Sequence, residues 1–201
     1  MMMRALLLSL ASAPLLAACA TAYVSPVEVT RFTGSQPARL GQGTIAVVPE
    51  ANAPGGGLEF SIVQRAVADR LQALGYRVVP GEGASQVAEL GFASFAQQPG
   101  GRRSPVSVGV GGSTGSYGSG VGLGVGIDLS GPPPAMIDNS MHVIIRDNAT
   151  GQALWEGRAG FRAAEKSDYA SRQAAAARLA SALFQDFPDE SGKTVEVTPR
   201  D

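Results

Sequence analysis

The chain has 201 residues, a length that suggests one domain or at most two. Its 16 basic and 17 acidic side chains leave a net charge of -1, which argues against nucleic acid as a partner because phosphate binding needs a basic excess. Apolar residues make up 44%, too many for a disordered chain, and one cysteine with one histidine excludes an intramolecular disulfide and a Cys/His metal cluster.

Residues 1–18 have the features of a bacterial secretion signal. Arg4 is the one early charge, and the uncharged run from Ala5 to Ala18 is shorter than the ~20 residues that span a bilayer as a helix. The run ends in Leu16-Ala17-Ala18-Cys19, which resembles the lipobox of bacterial lipoproteins. The resemblance implies cleavage before Cys19 and acylation of that cysteine, and two or three acyl chains anchor a protein durably. An ordinary signal peptide with a chance cysteine is the alternative.

The residue after the cysteine bears on which membrane holds the protein. Lipoprotein sorting links an acidic residue at this position with retention in the inner membrane, and here the residue is Ala20. We therefore expect a lipid anchor in the outer membrane, with the domain facing the periplasm. Residues 19–26 are expected to form a short tether.

The first half of the mature chain predicts strands around one helix. Val27 to Phe32 and Thr44 to Val48 are β-prone, and Pro49 closes the second run. Helical spacing begins after a loop, and Gly75 stands where a left-handed helix end is expected. Two further strands are predicted at 76–79 and 87–96. The stripe of the predicted helix consists of Ile62, Val63, Ala66, Val67, Leu71 and Leu74.

The second half predicts a hairpin and a final helix. Met141, Val143 and Ile145 alternate with His142, Ile144 and Arg146, a turn at 147–151 follows, and Leu154 to Phe161 returns. Ser167 can cap the final helix, which Pro188 ends. Residues 189–201 read as a loose polar tail. The order predicts a single α+β domain at 27–188, in which an antiparallel or mixed sheet carries two helices on one face.

A glycine-rich segment, residues 100–134, interrupts this domain. Val, Leu and Ile alternate with Gly and Ser over 106–127, which predicts a β-hairpin insertion with Tyr117 near its tip. It lacks the motifs of a phosphate-binding loop, and glycine at every second position disfavours a membrane helix. Two interpretations remain: a hairpin that covers its own domain, or a partner-binding surface that includes Tyr117, Val121, Leu123 and Val125.

No catalytic signature is found. His142 is the only imidazole, so a hydrolase would have to use it, and a solvated or hydrogen-bonded strand histidine is the simpler interpretation. Trp155 with Arg158 and Phe161 could offer a stacking surface for a sugar, although core packing explains Trp155 more simply. We expect no enzyme, no catalytic residue, no cofactor and no metal.

Several stretches together resemble the bacterial lipoprotein family called domain of unknown function 4136. The resemblance implies an envelope lipoprotein with an α+β domain and brings no activity or catalytic residues. In place of the Ala-Asp-Leu usual in the family, this chain has Ala88-Glu89-Leu90. The matching stretches are Thr44-Ile45-Ala46-Val47, Leu71-Gln72-Ala73-Leu74-Gly75-Tyr76, the alternation from Val106 to Ile127, Asp147 to Gly157, and Leu183-Phe184-Gln185-Asp186-Phe187-Pro188.

The function expected from these features is that of a lipid-anchored, non-catalytic binding or scaffolding module. Cys19 would hold the membrane, and an envelope protein or a glycan would be the partner of the glycine-rich segment. Two alternatives stay open: a carrier of hydrophobic ligands between sheet and helices, and a weak hydrolase that uses His142.

Overall fold

The computed structural model describes residues 22–51, 57–81, 83–97, 106–115, 118–127, 135–189 and 192–199. These residues form nine strands and two α-helices, and the two strands within 106–127 are described by their backbone. The elements are β1 (Val27–Thr33), β2 (Thr44–Pro49), α1 (Leu58–Ala73), β3 (Arg77–Val78), β4 (Gln86–Gln97), β5 (Val106–Gly115), β6 (Gly118–Ile127), β7 (Met136–Asp147), β8 (Ala153–Ala164), α2 (Arg172–Phe184) and β9 (Thr194–Val197).

Seven of these strands form one mixed sheet in the order β3-β2-β4-β7-β8-β1-β9. β2 pairs in parallel with β3 and β4, and the other neighbours pair antiparallel. The parallel pairing arises because α1 connects β2 back to the same sheet. The predicted α+β class with a mixed sheet is confirmed. β5 and β6 pair antiparallel in a separate two-stranded ladder.

Both helices cover the same face of the sheet and contact each other. The alternation predicted for β7 is confirmed, since Met141, Val143 and Ile145 are buried whereas the residues between them are half-buried. The helices bury a matching stripe against this face, which includes Val63, Val67, Leu71, Leu179 and Leu183. We call the opposite side, which carries His142, Ile144 and Arg146, the open face.

The predicted end of α1 is confirmed, whereas the predicted start of α2 is not. Gly75 follows α1 with φ of 102°, as predicted, a conformation that favours glycine. The cap predicted at Ser167 is wrong, because a short 3₁₀ turn at 168–170 comes first and the Ser171 hydroxyl accepts from the Ala174 N–H. α2 ends at Phe184, four residues before Pro188.

The two ends of the domain extend further than the sequence predicted. Residues 194–197, expected in a loose tail, form β9 at the edge of the sheet beside β1. At the other end, the Ala164 N–H donates to the Tyr23 carbonyl at 2.8 Å, and Ser25 bonds to β8. The predicted tether 19–26 is therefore part of the folded domain from Tyr23 onward.

The turn between β7 and β8 is fixed by Asp147. Its side chain accepts hydrogen bonds from the Thr150 amide at 2.8 Å and the Thr150 hydroxyl at 2.6 Å, and it pairs with Arg39. These donors stabilise the ionised carboxylate, with Thr150 contributing most, and hold the pKa of Asp147 at about 2, below its ordinary value of 3.8.

We expect Asp147 to make folding sensitive to acid. Because the pKa of Asp147 is lower in the folded than in the unfolded state, its contribution is complete above about pH 4 and is lost as the pH falls toward 2. Urea unfolding at several pH values checks this: the midpoint of wild type should fall more between pH 5 and pH 2.5 than that of Asp147→Asn. As a control, Asp69→Asn on the exposed side of α1 should keep the wild-type profile, and equal profiles for all three proteins would contradict the assignment.

Candidate functional site

A histidine between two carboxylates lies at the centre of the open face. Nδ1 of His142 lies 3.3 Å from Oε1 of Glu50, and Nε2 lies 3.1 Å from Oε1 of Glu156. Arg158 reaches the same Glu156 oxygen at 2.8 Å. A neutral imidazole carries one N–H, so the ring can donate to both carboxylates only when it is doubly protonated. The cluster connects the end of β2 with β7 and β8.

Gly91 creates the space that this cluster uses. It lies on β4 opposite His142, and a Cβ atom there would lie 2.5 Å from Oε2 of Glu50. The carboxylate of Glu50 therefore crosses β4 where the strand has no side chain. The sequence showed Gly91 only as a weak point of a predicted strand, and its position beneath Glu50 depends on the parallel pairing of β2 with β4.

A shallow cavity of about 630 Å³ lies over this part of the open face, and Ser140 and Arg158 are in its lining. Both ring nitrogens of His142 face carboxylates, and among the described residues no hydroxyl is hydrogen-bonded to either of them. A general base for hydrolysis needs a nitrogen within reach of a nucleophile or a water. The observed contacts are those of a cross-strand bridge.

Trp155 does not lie on any surface. It is 1% exposed, its ring stacks on Phe184 at 5.5 Å between centroids, and its indole N–H donates to the Pro188 carbonyl at 3.2 Å. Phe187 packs against it as well. The expectation that Trp155 contributes to a partner-binding or stacking surface is therefore wrong, because β8 turns this side chain toward the helices.

The predicted neighbours of Trp155 also separate. Arg158 lies on the open face, whereas Phe161 is buried on the helix side and faces the guanidinium of Arg178 at 5.3 Å. Strand alternation explains the separation, since residues an odd number of positions apart point to opposite faces.

Gly157 has no space for a side chain. A Cβ atom at this position would lie 2.2 Å from Cη2 of Trp155 and 2.8 Å from Cδ1 of Leu183. The indole ring therefore packs directly on the backbone of β8. Gly160, on the same strand, would place its Cβ 3.6 Å from its nearest contact, the Asn139 carbonyl, an ordinary van der Waals distance.

Arg31 is a buried charge that sequence reasoning missed. It is 3% exposed, and its guanidinium donates to the carbonyls of Leu183 at 2.9 Å and Ala182 at 2.8 Å and pairs with Asp189. Burial lowers the pKa of Arg31 from its ordinary value, and the carboxylates of Asp189 and Asp186 oppose that shift. The sequence did contain a signal for its burial, because strand alternation places Arg31 on the same side of β1 as the buried residues Val27 and Val29.

One end of the sheet gathers the segments expected to carry function. Gln97, the last residue of β4, pairs with Met136 on β7, and Met136 pairs with Ala164 on β8. Ala164 in turn bonds to Tyr23, the second described residue of the chain. The glycine-rich segment therefore leaves and re-enters the domain at the same end as the amino-terminal segment.

The other predicted site residues are Cys19 and four residues of the glycine-rich segment. Cys19 and Tyr117 lie outside the described residues. Val121, Leu123 and Val125 lie on β6, whose backbone pairs with β5.

Among the described residues, no helix has the length and apolar character to cross a membrane, and no group of three or more His, Cys, Asp and Glu side chains could hold a metal.

The family comparison matches residues 42–189 to the model described as "Domain of unknown function (DUF4136)". This range includes every element from β2 to α2 and the aromatic cluster of Trp155, Phe184 and Phe187. No curated protein sequence matches the chain.

Several solved structures are similar to this chain. A PDZ domain protein from Parabacteroides distasonis is 10% identical with a TM-score of 0.44, and the match covers 87% of this chain but 38% of that protein. The PelC dodecamer from Paraburkholderia phytofirmans is 15% identical with a TM-score of 0.40, covering 77% of this chain and 91% of that one. Similarity at this level transfers neither ligand nor activity.

The packing at Gly157 makes a prediction about stability. We expect Gly157→Ala to lower the free energy of unfolding by roughly 1 to 3 kcal/mol, the usual cost of forcing extra volume into a filled core. Gly160→Ala is the matched control on the same strand and should change stability by less than about 1 kcal/mol, since its Cβ meets no close contact. Chemical denaturation of both variants measures the difference, and equal stabilities would contradict the tight packing of Trp155 on β8.

Proposed function

This chain belongs to the family of the domain of unknown function DUF4136, and on that premise we propose that it is a lipid-anchored lipoprotein of the bacterial envelope. Its domain acts as a non-catalytic binding or scaffolding module in the periplasm, held to the outer membrane through Cys19. The glycine-rich segment, residues 100–134, provides the surface for an envelope protein or a glycan.

The observation that carries this proposal is that the end of β4, the start of β7 and the amino-terminal segment at Tyr23 lie at the same end of the sheet. Tyr23 is bonded to β8 there and follows Cys19 by four residues, which span at most about 14 Å when extended. β4 ends and β7 begins at this same end of the sheet, and these two strands flank the glycine-rich segment. A lipid on Cys19 would therefore hold the base of the glycine-rich segment close to the membrane surface.

The filled interior favours this proposal over a carrier of hydrophobic ligands. Side chains between sheet and helices are fully buried and in mutual contact, among them Ile45, Leu71, Ile145 and Leu179. A lipid carrier needs a cavity in that space. The hydrolase alternative is weakened in the same way, because both nitrogens of His142 are engaged by carboxylates.

The anchor is tested by the mass of the purified full-length protein. We expect wild type to begin at Cys19 and to carry the added mass of a diacylglycerol and an N-linked acyl chain, whereas Cys19→Ser should carry no acyl mass and keep its leader. Ala20→Ser, which leaves the cysteine in place, is the control and should be acylated like wild type. An unmodified cysteine in wild type would contradict the anchor.

The binding role is tested by photo-crosslinking in cells. A photoreactive residue in place of Tyr117 should give a discrete crosslinked band in the membrane fraction. The matched control carries the same residue in place of Leu58, which is 82% exposed at the start of α1, outside the glycine-rich segment. A band at both positions, or at neither in a folded and membrane-bound protein, would argue against a partner surface in the glycine-rich segment.

A further inference from the structure

The outer half of β4 is a strand edge without a described partner. β2 pairs with β4 only from Gln86 to Leu90, and the last bond across this edge runs from the Glu50 N–H to the Leu90 carbonyl at 3.0 Å. From Gly91 to Gln97, β4 is paired on its other side alone, with β7. We call these seven residues the β4 edge, and we propose that it pairs antiparallel with the β4 edge of a second copy of this chain.

The backbone directions along the edge follow from the observed bonds. Leu90 directs its carbonyl toward β2, and the groups of a strand alternate sides from one residue to the next. Phe92, Ser94 and Ala96 therefore direct their N–H and C=O groups away from β7. No described residue bonds to these six groups, and an unpaired row of this kind is a template for another strand.

One register satisfies all six groups. If Ser94 lies opposite Ser94 of the second copy, Phe92 lies opposite Ala96 and each outward-facing pair can exchange two hydrogen bonds. The nearest registers that again place outward-facing groups opposite each other are shifted by two residues. In one direction Ala96 then lies opposite Leu90, whose carbonyl already accepts from Glu50, and in the other direction Phe92 lies opposite residue 98, beyond the end of β4. The edge is therefore complementary to itself around Ser94.

The side chains fit the same register. Phe92 faces Ala96, and Phe95 faces Ala93, so each large ring lies beside a small residue across the new pair. Phe95 is 67% exposed, among the most exposed aromatic side chains described. The run from Gly91 to Gln97 contains no charge and no proline, the residues with which proteins usually protect an edge strand, so self-pairing opposes no like charges. A strand from a different protein would not require the β4 edge to be complementary to itself, so this self-complementarity favours a second copy of the chain.

Disulfide trapping tests the register in the full chain in its native membrane. Ser94→Cys places the two thiols on directly opposed residues, about 5.5 Å apart between Cα atoms, which a disulfide can bridge. Ala96→Cys is the matched control: it is also exposed and points to the same side, but its two copies would be about 13 Å apart. Mild oxidation should give at least tenfold more dimer from Ser94→Cys than from Ala96→Cys.

Tryptic mapping identifies the bond, because position 94 lies in the peptide from Val78 to Arg102 and the product should contain this peptide linked to itself. Wild type, whose single cysteine is Cys19, shows any dimer that arises elsewhere. Equal dimer from both variants, no dimer from either, or a crosslink from position 94 to a different protein would each overturn the proposal.

A second measurement does not depend on an added cysteine. Sedimentation of the detergent-solubilised full-length protein should show a dimer for wild type and for Phe95→Leu, and a monomer for Phe95→Lys, because the two lysines would lie diagonally opposed across the pair. Because Phe95 is exposed, Phe95→Lys should fold like wild type, and a circular dichroism spectrum that matches wild type checks this. A wild-type monomer would overturn the proposal. The acylation assay of Cys19 gives an independent answer, since strand pairing does not require the anchor.

Discussion

The guanidinium of Arg31 connects three parts of the molecule: β1, the end of α2 and the segment that follows this helix. It extends from β1 across the end of α2, where the carbonyls of Ala182 and Leu183 accept its N–H groups, and it pairs with Asp189 beyond the helix. A buried charge is costly unless its donors are satisfied, so the arrangement is stable only as a whole. The cation also compensates the negative end of the helix dipole. The segment after Asp189 is consequently directed back to β1, where it adds β9.

The aromatic cluster beside Arg31 fixes the same helix end from the neighbouring strand. Trp155 on β8 stacks on Phe184, contacts Phe187 and donates to the Pro188 carbonyl, while Gly157 leaves space for the indole ring. Two of the stretches that carry the resemblance to the family thus meet in one cluster, through residues 154–157 and 183–188. Their chemistry is that of packing: a large ring, a residue without a side chain and a buried indole N–H with its acceptor. These residues stabilise the fold of the domain, and a partner would have to bind at another surface.

Local patterns in the sequence were sufficient for most of the sheet and for both helices. The alternation of Met141, Val143 and Ile145 and the glycine after α1 have local causes, and the structure confirms both. What could not be predicted depends on pairing between distant residues: Glu50 reaches His142 only because β2 lies parallel to β4, and residues 194–197 form a strand only because β1 offers an edge. The choice of Ser171 over Ser167 as helix cap is of the same kind, since both hydroxyls precede the helix and tertiary packing decides between them.

The proposed strand pair has a geometric consequence for an anchored protein. Two chains held in one membrane leaflet must be related by an axis along the membrane normal, and an antiparallel edge pair has its axis close to perpendicular to the sheet. The strands would then lie along the membrane rather than upright. Because the axis passes near Ser94, the end of β4 at Gln97 lies only three residues or about 10 Å from it, whereas Tyr23 lies three strand spacings, or about 14 Å, further across the sheet. Both glycine-rich segments would consequently leave β4 close to the axis, so the same register that satisfies the β4 edge also brings the bases of two copies of the proposed binding surface together.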